Sequence, residues 1–335
     1  MAQMATLSVI ALALSPISCP VFAQVERPSV KIQDYPGIGN MLFRVAASKG
    51  FCKKYGLTCE LQMIPSGPLG AQALLSKSID VGFFPVEVQI NAMIKGANLK
   101  AILSGSRLNP FEIVVRNDLD IPHAGKGFPE FMADLKGRKI GVPARGSSAE
   151  LQFGLLAEKA GLTPTDFTFV AVGSPNTSYG ALISRQIDAS MSFEPAGSMC
   201  VVLHTCRVLF TQSEAREPIE IVGTNGGGTN VVVTQELAEN APHVIDALMA
   251  AAKDAEAFLQ DPTNFDETLN IAKSSFKFDL PRGDEIMEVS LKRILPTFKA
   301  PISRSALQQI ADNMLSMKQI DAPFDVTKLV HARAP

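Results

Sequence analysis

The sequence predicts an α/β protein of two lobes, each a mainly parallel sheet flanked by helices, joined by a hinge around a cleft. Three observations carry this expectation. A stretch of chain recurs at an offset of 108 residues: Ile79 returns as Ile187, and Lys31 as Lys139. Within each copy, short β-rich runs alternate with segments of helical periodicity. After the second copy the chain turns wholly helical. Strands that alternate with helices pair in parallel through right-handed crossovers, and two copies imply two such units.

The copies match element by element. Val30-Lys31-Ile32 and Lys139-Ile140-Gly141-Val142 read as first strands. Gly/Ser-containing loops follow, Tyr35 to Asn40 and Arg145 to Ser148, and then helices over Met41 to Cys52 and Ala149 to Ala160. Gly56 and Gly161 stand where a helix C-cap belongs. Second strands run over Glu60 to Ile64 and Thr168 to Val172. Ser66 and Ser174 lie in loops that open second helices, which end before Ile79-Asp80 and Ile187-Asp188. Third strands lie at Val81 to Phe84 and Ala189 to Phe193. The remaining helical segments, Gln235 to Gln260, Phe265 to Ser275, Pro281 to Leu295 and Ser303 to Ser316, read as a cap completing the first lobe.

Composition bounds the class. With 46% apolar and 19% charged residues the chain has enough apolar material for a large core. A net charge of -2, with no basic stripe, gives no sign of a nucleic-acid partner. The N-terminus reads as a targeting segment. Ala5 to Leu14 is an apolar run too short to span a bilayer, and Val21-Phe22-Ala23 predicts signal cleavage after Ala23, although no Lys or Arg precedes the run. Cleavage there removes Cys19, a poor lipobox cysteine, and leaves four: Cys52 with Cys59, and Cys200 with Cys206. An even number of cysteines in an exported chain favours two short-loop disulfides. A zinc reading of Cys200, His204 and Cys206 lacks a fourth ligand.

Open parallel sheets bind ligands at the carboxyl ends of their strands. Two lobes facing one cleft bring these loops together, with unpaired helix N-termini that favour an anion or an acceptor. The candidate contacts are Gly37, Gly39, Asn40, Ser66, Gly67, Pro85 and Glu87 from the first lobe, and Arg145, Gly146, Ser147, Ser148, Ser174, Asn176, Tyr179 and Glu194 from the second. Arg145 has the chemistry to hold a carboxylate, sulfonate or phosphate bidentately, unless it is a solvated loop residue. Glu194 either meets a ligand amine or hydroxyl, or pairs across the cleft with an arginine. Ser147 or Ser148 also suits an N-cap. Catalytic motifs are lacking. There is no Gly-x-Ser-x-Gly elbow or P-loop, Ser274 to Lys277 has no companion elements, and Gly37-Ile38-Gly39 is an incomplete dinucleotide fingerprint.

Ala46-Ala47-Ser48-Lys49-Gly50-Phe51 with Tyr55-Gly56-Leu57, then Ile79-Asp80-Val81-Gly82, Lys95-Gly96-Ala97, Asp134 to Val142, Ala160-Gly161-Leu162 and Glu194-Pro195, taken in this order, resemble the nitrate/sulfonate/taurine-type solute-binding proteins of ABC importers. The resemblance runs from about Val30 to Asp254. It implies a periplasmic binding protein type II fold, with a first lobe of residues 24–114 and 230–335, a second of 115–229, and crossings near Ile113 to Val115 and Val231 to Val233. It further implies a monomer without a cofactor, residing in the periplasm after Sec export and serving a permease and an ATPase. The implied ligand is a small, anionic organic molecule such as a sulfonate, taurine or an aromatic carboxylate, or alternatively a thiamine-pyrimidine precursor. The same fold includes pyrimidine synthases, whose cysteine-rich motif is missing here; a ligand-presenting sensor is a further alternative.

Overall fold

The computed structural model describes Met1 and residues 28–335; the expected signal segment and Cys19 lie outside the described residues. The chain begins with β1 (Ser29–Asp34), α1 (Met41–Ser48), α2 (Phe51–Lys54), β2 (Thr58–Met63), α3 (Gly67–Leu75), β3 (Gly82–Phe84), α4 (Val86–Ile94) and β4 (Leu99–Ser106). It continues through β5 (Phe111–Arg116), α5 (Phe131–Asp134), β6 (Lys139–Val142), α6 (Ser148–Lys159), β7 (Thr168–Ala171), α7 (Pro175–Ile183), β8 (Ala189–Phe193), α8 (Ala196–Leu203), β9 (Cys206–Thr211), α9 (Ile219–Val222) and β10 (Thr229–Thr234). Five helices follow: α10 (Gln235–Asn240), α11 (Pro242–Gln260), α12 (Phe265–Ser275), α13 (Gly283–Ile294) and α14 (Arg304–Ser316).

The two lobes share one strand order. In the second, the sheet runs β7-β6-β8-β5-β9, with β5 antiparallel to both neighbours. In the first, the parallel pair β2-β1 meets β3-β10-β4 through a parallel bridge between Ile32 and Val81, and β10 is the reversed strand. Each reversed strand arrives from the other lobe. The runs Ile113 to Val115 and Val231 to Val233, expected near the crossings, therefore lie mid-strand in β5 and β10. Their β-branched side chains are buried because sheet neighbours flank them on both sides. The chain passes between sheets just before them, over 107–110 and 223–228.

The repeat has a mechanical meaning. The Asp80 carboxylate accepts the Lys31 N–H at 2.8 Å, and that of Asp188 accepts the Lys139 N–H at 2.9 Å. The backbone N–H of each Asp donates back to the same lysine's carbonyl at 2.9 Å. Ile79 and Ile187 are buried beside these clamps. Lys77 and Arg185, also 108 apart, both take the left-handed conformation that ends the preceding helix, with φ of 60° and 63°.

Two expected helices are split. Gly50, at φ 73°, separates α1 from α2, and Pro242 starts α11 afresh after α10. The disulfides form as expected, Cys52–Cys59 tying α2 to β2 and Cys200–Cys206 tying α8 to β9, which sets the zinc reading aside. Loops this short stabilise by about 2 kcal/mol each through chain entropy. The C-terminal helices do more than complete the first lobe. Leu248, Ala251 and Ala255 of α11 pack on Met41, Leu42 and Val45 of α1, whereas Ile286 of α13 packs on Met199 and Val202 of α8 in the second lobe.

Replacing Asp80 or Asp188 with Ala removes a charge-assisted hydrogen bond near the surface and is expected to cost about 1–2 kcal/mol each. Because the clamps sit on separate lobes, the double variant should lose the sum to within about 0.5 kcal/mol. Urea titrations of the three variants check this; a marked shortfall from additivity would show that the clamps are coupled.

Candidate ligand-binding site

The lobes meet around a cavity of about 80 Å³. The first lobe lines it with Tyr35, Ile38 and Gly39 after β1, Ser66 to Pro68 at the start of α3, and Phe83, Pro85 and Val88 around the end of β3. The second adds Phe111, Pro143, Ser147 to Ala149 at the start of α6, and Phe193 and Glu194 at the end of β8. Pro110 comes from a passage between sheets, Ser106 and Thr229 from the strand ends beside the passages, and Ile294 and Phe298 from the end of α13 and the turn after it. Most of this surface is aromatic or aliphatic, so it suits a ligand with an apolar body.

The loop after β1 is braced by a buried ion pair. Arg44 and Asp34, 1% and 2% exposed, meet at 2.8 Å. Arg44 also donates to the carbonyls of Gly37 and Tyr35, both at 2.6 Å. The other Asp34 oxygen accepts the N–H groups of Tyr35 at 2.8 Å and Asn40 at 2.7 Å. Gly39 is required here: its φ is 56°, and an added Cβ would lie 2.3 Å from both Arg44 and Asp34. A Cβ on Gly37 would instead lie 2.6 Å from the Pro195 ring of the other lobe.

Three buried hydroxyls in the lining have no hydrogen-bond partner: those of Tyr35, Ser66 and Ser147. Ser66 and Ser147 occupy the N-cap positions of α3 and α6 with extended backbones, yet neither side chain caps its helix. Buried polar groups are normally paired. Two hydroxyls held back from capping, at helix N-termini on opposite lobes, mark a place where a ligand's acceptor atoms can sit.

Carboxylates tie the elements around the cavity together. Glu87 of α4 accepts from Ser148 Oγ at 2.9 Å and from Gln152 Nε2 at 2.6 Å, both on α6 of the other lobe. Burial raises its carboxyl above the ordinary range. Arg293 of α13 joins Glu112 at 3.0 Å and also pairs with Glu194, which accepts from Ser290 Oγ at 2.6 Å. Burial first, and then the neighbouring Glu194 charge, push the Glu112 carboxyl up to about 8.

Of the residues nominated from the sequence, Gly39, Ser66, Gly67, Pro85, Ser147, Ser148 and Glu194 line the cavity. Glu194 pairs with an arginine, the second of its two expected roles. The others fall outside the lining. Gly37 forms the lobe contact, Asn40 caps α1 through Phe43 N–H, and Glu87 bridges the lobes. Arg145 is 63% exposed because Glu150, at 2.9 Å, captures its guanidinium locally, and the Gly146 N–H binds the same carboxylate. Ser174 is near Thr177, the Tyr179 hydroxyl is held by Thr205, and Asn176 lies between them in α7. The site therefore breaks the repeat: the first lobe offers its second helix and the second lobe its first. Sequence reasoning missed Tyr35, Phe83, Phe111, Phe193 and Phe298. Aromatic residues at strand ends look like core, and their only signal is the loop that follows.

A raised carboxyl stabilises the fold fully below its unfolded value near 4.5, and that contribution is lost as pH rises through the folded value. Heating runs should therefore show the melting temperature falling between about pH 4.5 and 8, with Glu112→Gln flattening the slope by a few degrees. An unchanged slope in Glu112→Gln would remove Glu112 as its source.

Three structures and one curated protein place this geometry among known proteins. The ligand-binding component of an ABC-type import system from Staphylococcus aureus superposes with a TM-score of 0.73 at 18% identity, over 91% of this chain and 97% of that one. The alkanesulfonate-binding protein SsuA from Xanthomonas axonopodis pv. citri, bound to MOPS, gives 0.70 at 21% identity, over 92% and 99%. The fold also serves the desulfurization enzyme DSZB, at 0.60 and 16% identity over 91% and 96%. The fold is thus that of periplasmic binding proteins, and fold alone does not decide function. A protein of Brucella abortus, named as a binding protein, is 33% identical over 160 residues; the match takes in 47% of this chain and spans about half the relative's length, 45%. The description of the NMT1-like family matches residues 23–273, about three quarters of the sequence, and the chain belongs to that family.

Proposed function

We propose that the protein is an exported solute-binding component of an ABC importer, which closes two lobes over a small organic molecule and presents it to a permease and its ATPase. The observation that carries this is the pair of partnerless serine hydroxyls at helix N-termini on opposite lobes, facing one apolar cavity. Such a cavity holds its ligand only when the lobes are together, so binding and closure favour each other. Tyr35 against Phe193, Gly37 against Pro195, and Glu87 against Ser148 are the contacts that closure makes.

The ligand is of the sulfonate, taurine or aromatic carboxylate type: an acceptor-rich head between the two helix ends, and a body against the Phe rings. A heterocycle resembling a thiamine pyrimidine is the second reading, favoured by the lack of Lys, Arg or His in the lining among the described residues. The two disulfides, with the cleavage expected after Ala23, support Sec export to the periplasm, where the protein acts as a monomer. Among the described residues, no helix is long and apolar enough to cross a membrane.

A thermal-shift panel of alkane- and arylsulfonates, taurine, nitrate, aromatic carboxylates and pyrimidines tests the reading. A true ligand at 100 times its Kd should stabilise by about 2.7 kcal/mol and reduce the radius of gyration in solution scattering. Silence across the panel, with no small molecule released from the denatured protein by mass spectrometry, refutes it.

A further inference from the structure

We infer that Tyr35 is the specificity-determining residue of this cavity: an uncharged donor, clamped from both lobes, that reads an acceptor on the ligand and favours a head group carrying no more than one negative charge. The inference rests on the solute-binding reading and concerns how that site selects.

The chain has three tyrosines. The Tyr55 hydroxyl bonds Asp254 at 3.0 Å and that of Tyr179 bonds Thr205 at 2.7 Å, whereas that of Tyr35 has no partner. The adjacent Gln33 amide accepts from the Phe83 N–H at 3.0 Å and donates to the carbonyls of Ile64 and Ser66, and makes no hydrogen bond of normal geometry to the phenol. Nor is the ring free to swing toward water. It meets Phe83 of the first lobe edge-on at 6.0 Å and Phe193 of the second at 5.8 Å, while Asp34 and Arg44 hold its backbone from both sides. Tyr35 is 9% exposed. A fixed, buried donor without an acceptor is costly unless a ligand supplies one. Burial pushes the phenol above its ordinary range, outweighing the adjacent Gln33 side chain, which pulls it down, so it stays a donor at any working pH.

Charge follows from the same inventory. Among the described residues, the lining holds one carboxylate, Glu194, already engaged by Arg293 and Ser290, and no cationic side chain. The positive potential facing the cavity comes from the N-termini of α3 and α6, each equivalent to about half an elementary charge. Together they match a monoanion. A dianion of the same shape brings a second charge into a buried site with nothing to balance it.

Calorimetry at pH 8 on the full mature chain tests both halves, using benzenesulfonate and phenyl phosphate, tetrahedral heads of different charge on one ring. Wild type should bind benzenesulfonate at least tenfold more tightly than phenyl phosphate, and Tyr35→Phe should weaken benzenesulfonate at least tenfold. Without any ligand, Tyr35→Phe should melt no lower than wild type, since the hydroxyl it removes is unpaired; a merely structural hydroxyl would lower the melting point. Equal or tighter binding of phenyl phosphate, indifference of benzenesulfonate to Tyr35→Phe, a lowered melting point, or binding of neither probe each overturns the inference. The broader reading fails separately, only if the whole thermal-shift panel is silent.

Discussion

The binding face of the first lobe depends on the buried ion pair between Asp34 and Arg44. Burying two charges is justified only when each is well engaged, and here Arg44 donates three hydrogen bonds and Asp34 accepts three, all within the ion pair and the loop that follows β1. That loop cannot relax without exposing a charge to a dry interior. Its rigidity passes outward: Tyr35 is held in the cavity wall, and Gly37 is held flat enough for Pro195 to approach. A polar device inside the core thus sets both a residue of the cavity wall and a lobe contact.

The two lobes descend to the same plan but serve the cavity differently. In the first, Asn40 spends its side chain on its own helix, and the start of the second helix, at Ser66, faces the cavity. In the second, Ser147 leaves its helix uncapped, while Ser174 turns to its local neighbour Thr177. Helix ends from unlike positions therefore oppose each other across a small apolar space. The carboxylates in and around that space have partners of their own: Glu87 on α6, and Glu112 and the lining residue Glu194 on Arg293.

Much of this plan was legible in the sequence because it is written in local signals. Ile-Asp at a fixed offset marks the strand clamps, glycines mark helix ends, and cysteine parity marks the disulfides. What escaped was non-local. Arg145 has the right chemistry beside a helix start, yet Glu150 lies close enough in sequence to claim it. The aromatic wall is spread over four separate strand ends and the turn after α13, so no window of sequence shows it. Arg293, read as part of a featureless cap, acquires its role only when α13 is laid against the second lobe.

The exchange of strands between the sheets bears on how the chain matures. The place between β3 and β4 is filled by β10, so the first sheet stays divided until residue 234 is available, after the whole second lobe has been made. Folding of the earlier lobe must wait for the later one, a long-range pairing that slows the reaction. Under the proposed export the delay is useful: the chain stays threadable until nearly all of it has emerged. It also means that neither lobe exists as a contiguous fragment that could be shuffled, swapped or expressed alone.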